Sequence, residues 1–190
     1  MLKQITTVIF DLDGTLLNTL EDLAASVNYA LKTNGYPQRT TNEIRTFLGN
    51  GVKSLVKCSL GKNDSDEIFE KVFNCFRTYY MEHCQDTTRP FDGILPLLEE
   101  LKKRKIKMAI VSNKLQPAVE QLNNHFFKKH ISSAVGESAT VRRKPNPDAV
   151  IAAMNALGSR KDETIYVGDS EIDIETAKNA GIDCIVVLWG

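Results

Sequence analysis

The sequence predicts an α/β fold, with a mainly parallel, Rossmann-like sheet and an inserted all-helical unit. Short apolar runs that end in polar segments alternate with amphipathic helical patterns, which is typical of a parallel sheet with helices on both faces. The alternation stops over residues 18–90, which hold helical patterns and no convincing strand. A chain of 190 residues accommodates one sizeable core plus such an insertion, but not two full α/β domains.

Five runs have the β-branched and aromatic composition of buried strands, at residues 6–10, 106–111, 133–136, 164–167 and 184–188. Helical patterns between them cover residues 94–103, 117–125, 148–157 and 172–180. Gly181 follows the last helix as a stop signal. We therefore assign residues 1–17 and 91–190 to an α/β core and residues 18–90 to a helical cap.

The predicted cap has its own helix signals. Asn18 and Glu21 stand at capping-box spacing before the first apolar stripe, and Thr40 and Glu43 repeat the device before the second helix. Two more helices are expected over residues 52–60 and 65–83. Within this unit, Asn50 and Lys53 are candidates for substrate contact, because variable loops often set specificity.

Composition excludes several classes of function. Lys and Arg together number 24, as do Asp and Glu, so the formal charge is +0 and no basic stripe suits a nucleic-acid partner. No apolar run approaches the roughly 20 residues of a membrane span, and Asp11 interrupts the N-terminal apolar run. We expect a cytoplasmic protein that binds neither nucleic acid nor membrane. The oligomeric state stays open.

Polar side chains follow the predicted strands and should meet in one crevice, because ligands of open parallel sheets bind beyond the carboxyl ends of the strands. These side chains belong to Asp11, Asp13, Thr15, Ser112, Asn113, Lys144, Asp169 and Asp173, and Asn113 is among the candidates for substrate binding. Carboxylates gathered in one place repel each other unless a hard cation neutralises them, and an oxygen-only set suits Mg²⁺. Magnesium in turn suggests a phosphate substrate.

Asp11 and Asp13 lie two residues apart on chain leaving a strand, so both can face the same side. An ionised Asp11 can attack phosphorus, and Asp13 can protonate the leaving alkoxide and later deprotonate water. Gly14 permits close approach of the backbone to phosphate, and Thr15 offers a hydroxyl.

Ser112 and Lys144 would orient and neutralise phosphoryl oxygens, although Ser112 could instead cap the following helix. Asp169 is the expected further metal ligand. Asp173 lies four residues later and could bond Lys144 or a metal-bound water, or simply complement a helix dipole.

Four segments together resemble the motifs of haloacid dehalogenase superfamily phosphatases, in the same order: residues 11–15, 111–114, 143–148 and 168–173. The insertion, Gly49-Asn50-Gly51 and the segment at residues 90–93 are similar to phosphoglycolate phosphatases. The resemblance implies Mg²⁺ held by Asp11, the Asp13 main-chain carbonyl and Asp169. Family members commonly continue for a further loop and helix beyond Gly190, which suggests a truncated or trimmed product.

The resemblance favours a Mg²⁺-dependent phosphatase of small phosphorylated metabolites, with phosphoglycolate as the leading substrate. A phosphomutase of the β-phosphoglucomutase type remains as an alternative within the same fold. Dehalogenase activity is less favoured, because the displacement of a halide includes no obvious step that needs Asp13. A different class, the non-catalytic receiver-like phospho-acceptor switch, also gathers Asp, Ser or Thr, and Lys around Mg²⁺, but it needs no inserted cap.

Overall fold

The computed structural model describes residues 4–61 and 65–190. The chain divides into two compact units, one formed by residues up to Asn18 together with Pro90–Gly190, and the other by Thr19–Arg89. Over the described residues, no helix combines the length and the apolar character that crossing a membrane requires.

The first unit contains a five-stranded parallel sheet, which confirms the predicted α/β class. Its strands, in spatial order, are β5 (Ser133–Glu137), β4 (Lys107–Leu115), β1 (Thr7–Phe10), β6 (Thr164–Gly168) and β7 (Asp183–Val186). All four residues of β1 are buried, and Phe10 stands opposite Ile110 of β4 and Val167 of β6. Asp11 therefore follows the central strand directly and lies between its two neighbours, β4 and β6.

Helices of the first unit are α5 (Ile94–Lys103), α6 (Gln116–Leu122), α7 (Asp148–Leu157) and α8 (Glu171–Ala180). Small residues such as Ala153 and Ala177 let α7 and α8 pack closely on Ile9 and Tyr166 of the sheet. Gly181 ends α8 with a φ of +74°, as its place after the helix predicts.

The second unit is helical, with α1 (Leu20–Thr33), α2 (Thr41–Thr46), α3 (Gly51–Leu60) and α4 (Asp66–His83). The capping box of Thr40 and Glu43 is present at the start of α2. The predicted box at Asn18 is wrong: Thr19 precedes α1 without a side-chain cap bond, because Asn18 belongs to the short strand β2 (Leu17–Asn18). Strand β2 pairs with β3 (Arg89–Pro90) in a two-stranded sheet.

Strand β4 differs most from its predicted bounds. It continues through Ser112, Asn113 and Lys114, which the polar composition had assigned to a loop. These three side chains are buried and bonded to other parts of the unit, so their polarity reflects tertiary partners and not exposure to solvent. Ser112 consequently lies four residues before α6 and does not cap it. Helix α6 ends at Leu122 and passes into a π-helical turn over Asn123–Phe127.

Candidate active site

The candidate site lies at the carboxyl ends of the three middle strands. Asp11 follows β1, Ser112 lies near the end of β4, and Asp169 follows β6. Lys144 approaches from the segment before α7. The parallel register thus gathers side chains that are far apart in sequence, which is the crevice that such sheets use for ligands.

A buried lysine stands between two buried carboxylates. Lys144 Nζ lies 2.6 Å from Asp11 Oδ1 and 2.7 Å from Asp173 Oδ1. The hydroxyl of Tyr166 lies 3.2 Å from the same Nζ and donates to Asp173 Oδ1 at 3.0 Å. Because Asp173 is fully buried and Asp11 and Lys144 nearly so, these ion pairs are only weakly screened by solvent.

Asp173 also organises the start of α8. Its Oδ2 accepts hydrogen bonds from Ser170 Oγ at 2.7 Å and from the backbone N–H groups of Ser170 and Asp169 at 3.1 and 3.2 Å. A Cβ at Gly168 would overlap the Cβ and Cγ of Asp173, so this position requires glycine. Asp173 therefore bonds Lys144 directly and fixes the backbone that carries Asp169.

The pKa of the Asp11 carboxyl lies well above its usual value. Burial is the main cause, and the ammonium of Lys144 opposes it. The nearby carboxylates of Asp173, Asp169 and Asp13 raise this pKa further. Asp11 is thus short of positive charge, even with a lysine beside it.

Of the neighbouring carboxylates, Asp169 shares the shortage of positive charge seen at Asp11, whereas Asp173 does not. Burial raises the pKa of Asp169. Burial also acts against the charged form of Lys144, but Asp11, Tyr166 and Asp173 together hold its pKa well above the usual value. The pKa of Asp173 is lowered, because its bonds with Lys144, Ser170 and Tyr166 outweigh burial. The Lys144 ammonium compensates for the charge of Asp173. The carboxylates of Asp11 and Asp169 would be stabilised by a further cation.

The carboxylates are close enough to share such a cation. Asp11, Asp169 and Asp173 each offer an oxygen, and these oxygens lie within 4.8 Å of one another. Both oxygens of Asp173 already accept several hydrogen bonds, so Asp11 and Asp169 are the better ligands. A donor set made only of oxygens fits a hard divalent ion.

Gly14 and Thr15 shape the approach to Asp169. The Thr15 hydroxyl donates to Asp169 Oδ1 at 2.8 Å. Gly14 has a φ of +86°, and a Cβ there would collide with the Asp169 carboxylate. The left-handed conformation and the close approach both demand glycine. These two residues, predicted to contact phosphate, also hold the carboxylate of a candidate metal ligand.

Asp13 is held from β4. Lys114 Nζ lies 3.0 Å from Asp13 Oδ1, and Ser112 Oγ lies 3.4 Å from Asp13 Oδ2. Asn113, predicted to bind substrate, exchanges two bonds with the Lys144 backbone: its Oδ1 accepts from Lys144 N at 2.6 Å, and its Nδ2 donates to Lys144 O at 3.2 Å. Consecutive residues near the end of β4 thus contact both the Asp13 side chain and the Lys144 backbone.

Sequence reasoning assigned no role to Lys114 and Tyr166. Lys114 had a signal, since it follows Ser112 at the two-residue spacing that puts side chains on the same side of a strand. The sequence signal for Tyr166 was weaker: a phenolic hydroxyl within a mostly apolar strand.

The predicted cap contacts lie in the second unit. Asn50 precedes α3 as its N-cap residue, without a side-chain cap bond. Lys53 Nζ lies 5.9 Å from the centroid of the Phe73 ring. Both stay predictions as substrate contacts.

Fold and site together define a parallel α/β protein with a cluster of carboxylates at the end of its central strand that could hold a cation. Residues 8–187 match the family of haloacid dehalogenase-like hydrolases, and the chain belongs to that family. The resemblance predicted from the four sequence segments is therefore confirmed.

The relatives are phosphatases. A phosphoglycolate phosphatase of Aquifex aeolicus is 31% identical over 184 residues, which cover 96% of this chain and 84% of the relative. A solved structure from Lactobacillus delbrueckii subsp. bulgaricus superposes with a TM-score of 0.92 at 35% identity, covering 98% of this chain and 87% of the other. The structure of a predicted phosphoglycolate phosphatase from Haemophilus somnus superposes with a TM-score of 0.90 at 30% identity, covering 100% of this chain and 88% of the other. The chain is thus a phosphatase of this family.

Proposed function

We propose that this enzyme hydrolyses small phosphate monoesters through an aspartyl phosphate on Asp11, with Mg²⁺ as its cofactor and phosphoglycolate as the favoured substrate. The observation that carries the proposal is the position of Asp11. It is a buried carboxylate at the end of the central strand, 2.6 Å from an ammonium and close to two further carboxylates. A carboxylate that meets a phosphate ester there is a nucleophile.

In the first half of the reaction, an oxygen of Asp11 bonds to phosphorus while the bond from phosphorus to the ester oxygen breaks. Asp13 gives its proton to the departing oxygen, so an alcohol leaves. In the second half, Asp13 takes a proton from water as that water attacks phosphorus. The bond from Asp11 to phosphorus then breaks, inorganic phosphate forms, and both carboxyl groups return to their starting states.

Lys144 and Ser112 would neutralise and orient the phosphoryl oxygens during both transfers. Asp11, Asp169 and the main-chain carbonyl of Asp13 would hold Mg²⁺, with Asp173 as a support that bonds Lys144. When bound, this ion neutralises carboxylates and draws charge from the phosphoryl group. The raised pKa values of Asp11 and Asp169 support a cation there, because they mark carboxylates that lack enough positive charge.

Phosphoglycolate is favoured because the Aquifex aeolicus relative carries that activity in its name. In the second unit, Asn50 and Lys53 are the proposed substrate contacts. Lys53→Met should raise KM for an anionic substrate more than it lowers kcat.

A panel of phosphate esters tests the proposal, with phosphoglycolate, a hexose phosphate and p-nitrophenyl phosphate offered with and without Mg²⁺. We expect Mg²⁺-dependent release of inorganic phosphate, fastest from phosphoglycolate. Asp169→Asn should abolish the response to Mg²⁺, whereas Asp162→Asn, an exposed carboxylate paired with Arg160, should leave it unchanged. Conversion of one hexose phosphate isomer to another without phosphate release would instead indicate a mutase. Wild-type protein that releases no phosphate from any ester would contradict the proposal.

A further inference from the structure

Lys114 is a buried lysine near the end of β4. Its side chain is 2% exposed, and its Nζ lies 3.0 Å from Asp13 Oδ1. Removing an ammonium from water is costly unless a nearby charge and hydrogen bonds compensate for the loss of hydration. Asp13 Oδ1 accepts a hydrogen bond from this ammonium, and Asp13 supplies the compensating charge whenever it is ionised, as it is after giving its proton to the leaving oxygen.

Asp13 has a different environment from Asp11. Its side chain is 26% exposed and follows β1 at an isolated β-bridge with Leu17, so its carboxyl group can change rotamer more easily than a buried one. Two donors of β4 limit that freedom: Lys114 Nζ meets one carboxylate oxygen, and Ser112 Oγ lies 3.4 Å from the other. The backbone N–H of Lys114 also donates to Ser112 Oγ at 3.1 Å, which ties the two donors together.

The strand itself explains why these donors act as a pair. Side chains two residues apart on a strand point to the same side, so Ser112 and Lys114 both reach Asp13. Asn113 lies between them and bonds the backbone of Lys144 instead. Because β4 pairs with β1 along Thr7–Phe10, the donors near the end of β4 lie beside the segment that carries Asp13 after β1.

We propose that Lys114 is a positioning residue for Asp13: its ammonium holds the carboxyl group in the orientation from which the proton reaches the leaving oxygen. This inference deepens the proposed function and rests on it. Lys114 acts through Asp13 and not through contact with the phosphate ester. Its removal should therefore slow the steps in which Asp13 gives or takes a proton, and should leave substrate affinity nearly unchanged.

The dependence on the leaving group separates this role from a general loss of activity. An alkoxide such as that of glycolate needs a proton as the bond from phosphorus to oxygen breaks, whereas p-nitrophenolate leaves readily without one. The second half of the reaction, in which Asp13 takes a proton from water, is common to both esters, whereas kcat/KM reports only the first half, up to the departure of the alcohol. We expect Lys114→Met to lower kcat/KM for phosphoglycolate about 10-fold to 100-fold, and kcat/KM for p-nitrophenyl phosphate less than about 3-fold. Lys114→Arg should recover part of the loss, because it restores a cation beside Asp13.

Asp13→Asn provides the second test. If Lys114 acts through Asp13, adding Lys114→Met to Asp13→Asn should lower kcat for phosphoglycolate no further. Lys107→Met is the matched control, since Lys107 is an exposed lysine of the same strand that bonds Gly158 O. We expect this control to behave as the wild type on both esters.

Three results would overturn the inference: equal losses of kcat/KM on both esters, a loss confined to KM, or losses of kcat that multiply in the double variant. Thermal unfolding and circular dichroism check that each variant folds, and Lys114→Gln replaces Lys114→Met in the comparison if the latter does not. A wild type that cleaves neither ester would instead refute the proposed function, and the inference with it. If the wild type cleaves both esters, a failed prediction counts against the role of Lys114 and not against the proposed function.

Discussion

Tyr166 connects the two charged partners at the bottom of the site. Its fully buried hydroxyl donates to Asp173 Oδ1 and lies 3.2 Å from Lys144 Nζ. Burial raises the pKa of this phenol well above its usual value, so it stays a neutral donor. The hydroxyl therefore fixes the ammonium that is proposed to meet the phosphoryl oxygens.

Tyr166→Phe should lower kcat about 10-fold with little change in KM, because a hydrogen bond to a charged group is worth about 1.5–3 kcal/mol. Steady-state kinetics with p-nitrophenyl phosphate measure both constants. Tyr29→Phe serves as the control, since Tyr29 is exposed and stacks on Tyr79 in the second unit. A folded Tyr166→Phe variant with wild-type kcat would show that the hydroxyl does not position Lys144.

The sequence could predict which carboxylates gather at the candidate site. Asp11, Asp13 and Asp169 were predicted to lie together because they follow buried strands whose carboxyl ends meet at one edge of the sheet, and their roles in catalysis and metal binding stay predictions. Lys114 and Tyr166 were missed because a lysine or tyrosine in a strand is usually explained by partial exposure. Only the tertiary structure reveals that each has a buried, charged partner.

Within the second unit, Asp22 joins two elements. Its buried carboxylate, in the first turn of α1, accepts bonds from Thr87 N at 2.9 Å, Thr87 Oγ1 at 2.5 Å and Thr88 N at 2.9 Å. The segment after α4 is thereby fastened to the start of α1. These bonds satisfy backbone N–H groups that no helix or strand ladder satisfies.

Asp22→Ala should lower the free energy of unfolding by about 2–3 kcal/mol, because it leaves buried donors without their acceptor. Chemical denaturation monitored by circular dichroism measures this loss. Glu21→Ala, an exposed acid one position earlier, should change stability by less than about 0.5 kcal/mol. Equal stability of the two variants would show that Asp22 contributes nothing specific.

Among the helices and strands, the bounds that depend on local sequence pattern were predicted correctly, and those that depend on tertiary contacts were not. Helices α5 and α7 have the predicted bounds because the apolar periodicity that predicts them lies within each segment. The end of β4 was wrong because buried polar side chains look like a loop until their partners are known. The capping box at Asn18 was wrong because pairing of β2 with β3 outweighed the local capping preference.

For the molecule as a whole, the carboxylates of the site link folding to pH and to the metal. Asp11 and Asp169 have raised pKa values when folded, so without metal their contribution is most favourable below the unfolded value of about 3.9 and weakens as pH rises. Asp173, whose pKa is lowered, contributes in the opposite sense and loses its effect as pH falls. A divalent ion needs the carboxylates ionised, so it should bind more tightly at higher pH.

We therefore expect excess Mg²⁺ to raise the Tm more at about pH 7.5 than at about pH 5. At a free concentration of about 100 Kd, the stabilisation should reach about 2.7 kcal/mol. Differential scanning fluorimetry with EDTA or Mg²⁺ measures the shift, and Asp169→Asn should abolish it. A shift that is the same at both pH values, or that persists in Asp169→Asn, would place the ion elsewhere.

Trapping of the phosphorylated enzyme tests the role of Asp11 most directly. Protein mixed with p-nitrophenyl phosphate and Mg²⁺, quenched rapidly and reduced with borohydride, should contain homoserine at position 11 by peptide mass spectrometry, because borohydride reduces an acyl phosphate and not a free carboxylate. Asp11→Asn should release essentially no phosphate. Label at another residue, or an Asp11→Asn variant that still turns over at a near-normal rate, would contradict the account.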